Sequence, residues 1–251
     1  MPGLAVFEHR VERPDAVLVC VHGGLDRAGS FARLARRLES VDLVAYDRRG
    51  YQGSRGLGPS TIDQQVSDLE AIARRESSVA PVVLFGHSFG GVIALAAAAR
   101  GPDLVSLAIL FESPLPWILT RPSGRPEPTD DPEREAEAFF RRVMSDAAWE
   151  RLSETERQAR RLDGPALLSD LAVTRGPAPF DLATMSTPVV LVYGDGHLGA
   201  YYRSLARELA VCCPNVRTIE MAHTNHGAHL SRPGPLATLI NQLIAERCAS
   251  A

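Results

Sequence analysis

Short apolar runs alternate with helix-forming segments along most of the chain. Residues 16–21 form a continuous apolar run, which is typical of a parallel strand buried on both faces. Strands that alternate with helices predict an α/β fold, with a mostly parallel sheet and helices on both of its faces. The predicted strands are 4–11, 16–21, 41–46, 81–85, 104–111, 188–193 and 216–220.

The segments between these strands carry helical periodicity or strong helix formers. Ser60 precedes a segment of helical pattern at 61–75 and is predicted to be its N-cap. The other helices predicted in this alternating part are 31–38, 92–100, 201–210 and 236–247.

The alternation stops between residues 113 and 187, where three helical segments but no strand are predicted, at 132–144, 153–162 and 165–173. Such a block between two strands predicts a helical cap (113–187) inserted into an α/β core (1–112 and 188–251). A surface decoration is the simpler alternative. The large apolar residues of this block are expected to line a pocket or form the cap's own core: Trp117, Phe139, Phe140, Met144 and Trp149.

The 251 residues are enough for one core with an inserted subdomain, and the net charge of −3 favours neither nucleic acid nor an anionic membrane as partner. No apolar run approaches the roughly 18 residues of a membrane helix, and the first ten residues do not resemble a signal peptide. All 27 basic residues are arginine, and the absence of lysine excludes Schiff-base chemistry. Nothing in the sequence predicts an oligomeric state.

The four cysteines, Cys20, Cys212, Cys213 and Cys248, form no C-x-x-C pair, which favours reduced thiols in a cytoplasmic protein. No group of His, Cys and Asp residues has the spacing of metal ligands, and Gly23-Gly24 is no dinucleotide fingerprint. We therefore expect neither a metal nor a cofactor.

A G-x-S-x-G segment, residues 86–90, lies between a predicted strand and a predicted helix, as a nucleophile elbow requires. Gly86 and Gly90 allow the strand and helix backbones to approach closely. Ser88 is then exposed at the helix N-terminus, and the backbone N–H of Phe89 faces a developing oxyanion. Ser88 is therefore the predicted nucleophile.

A serine nucleophile needs a base within hydrogen-bond reach, and that base needs an acid to orient it. The segment after the last predicted strand offers three histidines as the base: His223, His226 and His229.

The chain resembles the α/β-hydrolase superfamily over nearly its whole length. The matching motifs are the His22-Gly23-Gly24 turn, the loop at 47–50, the Ser88 elbow and the final histidine segment. Family members commonly place six residues and then a proline after the catalytic histidine. Only His226, followed by Pro233, has that spacing, so the resemblance implies that His226 is the base.

The resemblance also implies that Gly24 and Phe89 supply the backbone donors of an oxyanion hole. His22 and His87 are expected to be structural hydrogen-bonding residues rather than catalytic ones.

The position of the acid departs from the commonest family pattern. Many members place an aspartate three residues after the glycine that ends the penultimate strand, but here that glycine is Gly194 and the residue is His197. A subset that resembles haloalkane dehalogenases places the acid after the strand that follows the elbow, where Glu112 stands. A carboxylate at the end of an apolar strand is costly to bury without a partner. We therefore favour Glu112 over the alternative, Asp195.

The resemblance implies a serine hydrolase that cleaves a small-molecule carboxylic ester through an acyl-enzyme. A thioester is the alternative substrate, because arginines that are able to bind phosphates occur in the cap, at Arg121, Arg125, Arg134, Arg141 and Arg142. A slow or non-catalytic ligand-binding relative is a further alternative, since the fold hosts such proteins.

Overall fold

The computed structural model describes residues 3–119, 129–182, 185–213 and 216–249. Its seven strands form one sheet in the order β1-β3-β2-β4-β5-β6-β7. Only β1 is antiparallel to its neighbour, so the predicted α/β fold with a mostly parallel sheet is confirmed. The strands are β1 (Val6–His9), β2 (Ala16–Val21), β3 (Val41–Tyr46), β4 (Val82–His87), β5 (Leu107–Phe111), β6 (Val189–Gly194) and β7 (Val216–Met221).

The α-helices are α1 (Ala32–Ala35), α2 (Ile62–Glu76), α3 (Phe89–Arg100), α4 (Pro132–Val143), α5 (Asp146–Glu150), α6 (Glu154–Arg161), α7 (Gly164–Val173), α8 (Gly199–Cys212), α9 (Ala228–Ser231) and α10 (Pro233–Ala249). The eight predicted helices are present with different ends, α1 being much shorter than predicted, and two short helices, α5 and α9, were not predicted. The predicted N-cap of α2 was wrong: Thr61, not Ser60, caps the helix, and its side chain accepts from the backbone N–H of Gln64. Across the described ranges, no helix combines the length and apolar character that crossing a bilayer requires.

Two apolar layers cover the sheet because side chains of a strand alternate between its faces. Along β2, Val17 and Val19 pack in the layer formed with α2, α3 and α8. Leu18 and Cys20 pack in the opposite layer with α1 and α10. Because the strands other than β1 run parallel, their carboxyl ends lie on the same side of the sheet. The loops that follow several strands meet there.

Between β5 and β6 the described residues form four helices, α4 to α7, and no strand. A buried ion pair attaches this region to the core: the guanidinium of Arg48 donates to both carboxylate oxygens of Asp170 on α7, at 3.0 and 2.7 Å. Leu167 and Leu171 of the same helix pack on Leu25, which belongs to the loop after β2. These helices therefore lie at the sheet edge where the strands end.

Candidate active site

Ser88 stands at a sharp turn between the last residue of β4 and the first residue of α3. Its backbone has φ 51° and ψ −126°, a strained conformation for a residue with a side chain. A Cβ atom added at Gly90 would overlap the carbonyl oxygen of Val21, and one at Gly86 would overlap the backbone of Gly91. The predicted close approach of strand and helix is therefore present, and it forces the strained turn.

The turn places Ser88 at the wall of a cavity of about 280 Å³. The backbone N–H of Ser88 donates to the carbonyl oxygen of Phe111 at 2.9 Å, which fixes the turn against the end of β5. His226, from the loop between β7 and α9, lines the same cavity. The predicted nucleophile and the predicted base thus share one solvent-accessible space.

Glu112 lies directly after β5, with its carboxylate Oε2 at 2.8 Å from Nδ1 of His226. Because a carboxylate only accepts, Nδ1 carries the proton of this hydrogen bond. The second oxygen, Oε1, accepts from the backbone N–H of Gly194 at 3.0 Å, and the hydroxyl of Tyr202 donates to the backbone carbonyl of Glu112. The carboxylate is 1% exposed, so these contacts hold it in one orientation.

Asp195, the alternative acid, is exposed and faces the loop that precedes His226. Its Oδ1 accepts from the backbone N–H of Thr224 at 3.0 Å. Backbone hydrogen bonds from His223 and Thr224 lower the pKa of its carboxyl group. This carboxylate therefore stabilises the loop, whereas Glu112 contacts the imidazole.

The two backbone donors expected for an oxyanion hole lie beside Ser88. Phe89 is the first residue of α3, so its N–H has no acceptor within the helix. Gly24 lines the cavity together with Ser88. A Cβ atom added at Gly24 would lie 2.9 Å from a methyl group of Leu167, so a larger residue there would require that side chain to shift.

His22 holds the turn that carries Gly24, in the structural role expected from the sequence. Its Nδ1 donates to the carbonyl oxygen of Gly23 at 2.7 Å, and its Nε2 accepts from the backbone N–H of Arg48 at 2.9 Å. The Arg48 side chain also donates to the carbonyl oxygens of His22 and Gly23. Burial and the charge of Arg48 lower the pKa of His22 to about 3, so the ring is neutral.

The helices between β5 and β6 supply most of the apolar cavity wall. The cavity-lining residues of α4 to α6 and their connections are Phe139, Phe140, Val143, Met144, Ala148, Arg151, Leu152 and Arg160. Trp149 is fully buried against Phe140 instead, and Trp117 packs on Phe180. Of the five apolar residues expected to line a pocket or pack within the cap, three therefore line the cavity.

The arginines proposed from the sequence as phosphate-binding groups differ from those that line the cavity. Arg141 is paired with Glu137, and Arg142 with Glu135. Arg134 is exposed, while Arg121 and Arg125 lie outside the described residues. The cavity instead receives Arg151 and Arg160, which the sequence did not single out.

Sequence reasoning also missed the contact of Asp26 with two histidines at the cavity wall. Asp26 Oδ2 lies 3.1 Å from Nε2 of His229 and 3.9 Å from Nδ1 of His87. Burial raises the pKa of Asp26, but the hydrogen bond and charge of His229 outweigh it and lower the pKa below its usual range. The three residues are far apart in sequence, so no spacing rule was able to group them.

The sequence profile of the alpha/beta hydrolase family matches residues 18–239, and the chain belongs to this family. Three named relatives illustrate the similarity. The lipase LipV of Mycobacterium tuberculosis is 36% identical over 97 residues, which are 39% of this chain and 37% of the lipase. The monoglyceride lipase of Rattus norvegicus is 32% identical over 118 residues, 44% of this chain and 38% of the relative. A putative carbamate hydrolase, RutD, of Rhizobium rhizogenes is 33% identical over 124 residues, 47% and 45% of the two chains. The matches thus span less than half of each relative.

Solved structures share the fold over nearly the whole chain. A thermophilic esterase of Thermogutta terrifontis superposes with a TM-score of 0.71 and 19% identity, over 97% of this chain and 93% of the esterase. MenH of S. aureus has a TM-score of 0.68 and 19% identity, over 98% and 99% of the two chains. At these identities the similarity extends to the fold and no further.

Proposed function

We propose that this protein is a serine hydrolase that cleaves a carboxylic ester through Ser88, His226 and Glu112. The observation that carries the proposal is the buried contact of Glu112 with His226, at 2.8 Å, beside the cavity that contains Ser88. A serine, a histidine and a carboxylate that orients the histidine are the parts of an acyl-transfer site.

In the proposed reaction, the Ser88 hydroxyl attacks the ester carbonyl while Nε2 of His226 takes the hydroxyl proton. Glu112 holds the imidazole by Nδ1 and stabilises the imidazolium that forms. The backbone N–H groups of Phe89 and Gly24 donate to the oxyanion of the tetrahedral intermediate. His226 then protonates the leaving alcohol. Water, activated by the same histidine, releases the acid and regenerates Ser88.

The cavity supports an acyl chain as the main substrate feature. Its wall near Ser88 is largely apolar, with contributions from Phe139, Val143 and Leu152. A volume of about 280 Å³ lies near the lower end for small-molecule sites. We therefore assign residues 113–187 as a cap whose helices enclose the acyl group, and the remaining residues as the hydrolase core.

A thioester is the second candidate substrate, and Arg160 favours it. This side chain lines the cavity, and its buried Nε has no hydrogen-bond partner among the described residues. Burial and the charge of Arg27 lower the pKa of its guanidinium more than the nearby carboxylates of Asp26, Glu156 and Asp163 raise it, so a further counter-ion would stabilise the cation. A phosphate or carboxylate on the leaving group would supply one.

Four cysteines without disulfides support a reducing compartment, which fits a cytoplasmic hydrolase. A non-catalytic relative with the same fold remains the competing proposal, and activity measurements separate the two.

A panel of p-nitrophenyl esters of increasing chain length, measured beside acyl-CoA thioesters, tests the proposed function. We expect ester hydrolysis with an optimum at a short or medium chain, and loss of turnover in Ser88→Ala by about 10³-fold or more. Arg160→Gln separates the substrate classes, because it would raise KM for the thioesters and leave that for the neutral esters unchanged. A chain that hydrolyses neither class, or whose Ser88→Ala variant retains turnover, would contradict the proposal.

A further inference from the structure

Three residues that the proposed hydrolysis does not use converge at one end of the cavity. We refer to Asp26, His87 and His229 as the histidine–aspartate cluster. They come from the loop after β2, the end of β4 and helix α9. One ligand atom from each lies within 4.8 Å of the other two. His87 is 6% and His229 is 2% exposed, and the cluster lines the cavity that contains Ser88.

The protonation of His87 follows from its contacts. Its Nε2 lies 2.8 Å from the carbonyl oxygen of His226, and a carbonyl only accepts, so Nε2 carries a proton. Burial and the charges of His229 and His226 hold the pKa of His87 well below its usual range, so the ring is neutral. In the neutral ring the other nitrogen, Nδ1, then carries a lone pair and no proton.

This lone pair is buried, and no described residue donates a hydrogen bond to it. It faces the carboxylate of Asp26 at 3.9 Å, which is also an acceptor. Two acceptors that face each other across this distance repel unless a cation or a donor lies between them. The geometry thus favours a positively charged or proton-donating partner.

The other two members complete a ligand set. Nε2 of His229 lies 3.1 Å from Oδ2 of Asp26, and its Nδ1 has no partner among the described residues. A shift of the single imidazole proton from Nε2 to Nδ1 would free the nitrogen that faces the cluster. Ser30 Oγ also lies 3.1 Å from the same carboxylate oxygen, although its shorter hydrogen bond, 2.7 Å, goes to the carbonyl oxygen of Arg27.

We propose that the histidine–aspartate cluster binds a divalent transition-metal ion of the zinc type. Two imidazoles and one carboxylate are a ligand set that zinc accepts, with the fourth position open toward the cavity. Zinc–nitrogen bonds of about 2.0–2.1 Å place tetrahedral ligand atoms about 3.4 Å apart. His87 and Asp26, now at 3.9 Å, would have to approach by about half an ångström, and the most widely separated ligand atoms, which lie within 4.8 Å, by up to about 1.4 Å.

A metal ion bound at this site would affect ester hydrolysis at His226. This expectation rests on the proposed function. The rings of His87 and His226 have centroids 4.7 Å apart. A divalent charge at His87 disfavours the imidazolium that His226 must become, so bound metal inhibits hydrolysis.

The test is a calorimetric titration of the untagged chain with ZnCl₂, using Ser88→Ala as the host. This host lacks the proposed nucleophile, so the metal site is measured independently of whether the protein is a hydrolase. We expect one zinc ion per chain. Asp26→Asn and His229→Gln should each weaken binding by about tenfold or more. His197→Gln, at an exposed histidine outside the cluster, is the matched control and should bind as the host does.

The adjacent thiols of Cys212 and Cys213 offer a competing site, with sulfur atoms 3.5 Å apart. X-ray absorption of the cobalt-loaded host separates the two sites without any further substitution. Nitrogen and oxygen ligands with imidazole scattering support the proposal. Sulfur ligands, no binding, or equal binding in the host and both cluster variants would overturn it.

Discussion

Glu112 Oε2 and His226 Nδ1 lie 2.8 Å apart, although 114 positions separate the two residues in the sequence. The contact joins the end of β5 to the loop after β7. Glu112 has φ 44° at this point, a left-handed conformation that is uncommon for a residue with a side chain. Strain of this kind persists where surrounding contacts hold it, and it concentrates at functional sites.

The first prediction concerns the acid of the proposed triad. Glu112→Gln should lower kcat for ester hydrolysis by up to about 10⁴-fold, because the imidazole loses the partner that fixes its tautomer. Asp195→Asn is the matched control and should retain most of the turnover. Circular dichroism of both variants checks the fold. Equal losses in the two variants, or a larger loss in Asp195→Asn, would reject Glu112 as the acid.

The sequence predicted most of the sheet and the local geometry at Ser88. Continuous apolar runs such as 16–21 specify buried strands, and the two glycines at 86 and 90 specify the turn. Glu112 was favoured because the chain resembles the subset that places the acid after this strand, and because an apolar strand ends in a carboxylate that needs a partner. Each of these signals is local, so each was visible along the chain.

The arrangement of the cavity wall depends on tertiary contacts and had no such signal. Asp26, His87 and His229 meet only because the fold brings together the loop after β2, the end of β4 and helix α9. Arg160 resembles its neighbour Arg161 in sequence, yet Arg161 pairs with Glu137 whereas Arg160 faces the cavity. A single amphipathic helix does not reveal which of its arginines is turned toward a site.

The second prediction concerns the acyl pocket. Val143 ends α4 and lines the cavity, so Val143→Trp should fill part of the space and shift the optimum toward shorter acyl chains. Val211→Trp is the control, since Val211 on α8 is 83% exposed. The measurement is kcat/KM across the p-nitrophenyl ester series. An unchanged chain-length profile in Val143→Trp would show that the acyl group binds elsewhere.

The third prediction concerns the buried pair that attaches α7 to the core. Asp170→Asn leaves the Arg48 guanidinium, 1% exposed, without a compensating charge and should destabilise the fold by about 3–5 kcal/mol. Glu246→Gln removes the partner of Arg217 in an exposed pair and should leave stability near that of the wild type. Urea unfolding measures both. A similar change in the two variants would mean that the buried network does not stabilise the docking of α7.

The fourth prediction is a loss of stability on acidification. The pKa of His22 is about 3 in the folded chain, against about 6.5 when unfolded. Below pH about 6.5 the unfolded state binds more protons, so stability falls as the pH decreases toward the folded pKa. The low pKa of His87 acts in the same direction. The melting temperature should therefore decrease from about pH 7 to about pH 4.

His22→Gln tests the contribution of this ring to that slope. Glutamine does not titrate, and its amide oxygen is able to accept from the backbone N–H of Arg48 as Nε2 does. The variant should show a shallower decrease in melting temperature over the same range. An identical slope would assign the acid sensitivity to other groups.

The most direct test of the account is covalent labelling of the proposed nucleophile with a fluorophosphonate, followed by peptide mass spectrometry. The tryptic peptide 76–100 contains Ser88 together with Ser77 and Ser78, so fragmentation must locate the adduct. Ser88→Ala serves as the unlabelled control. We predict one adduct per chain, on Ser88, with hydrolysis lost in proportion to labelling. An adduct on another residue, or a fully labelled chain that still hydrolyses esters, would contradict the assignment.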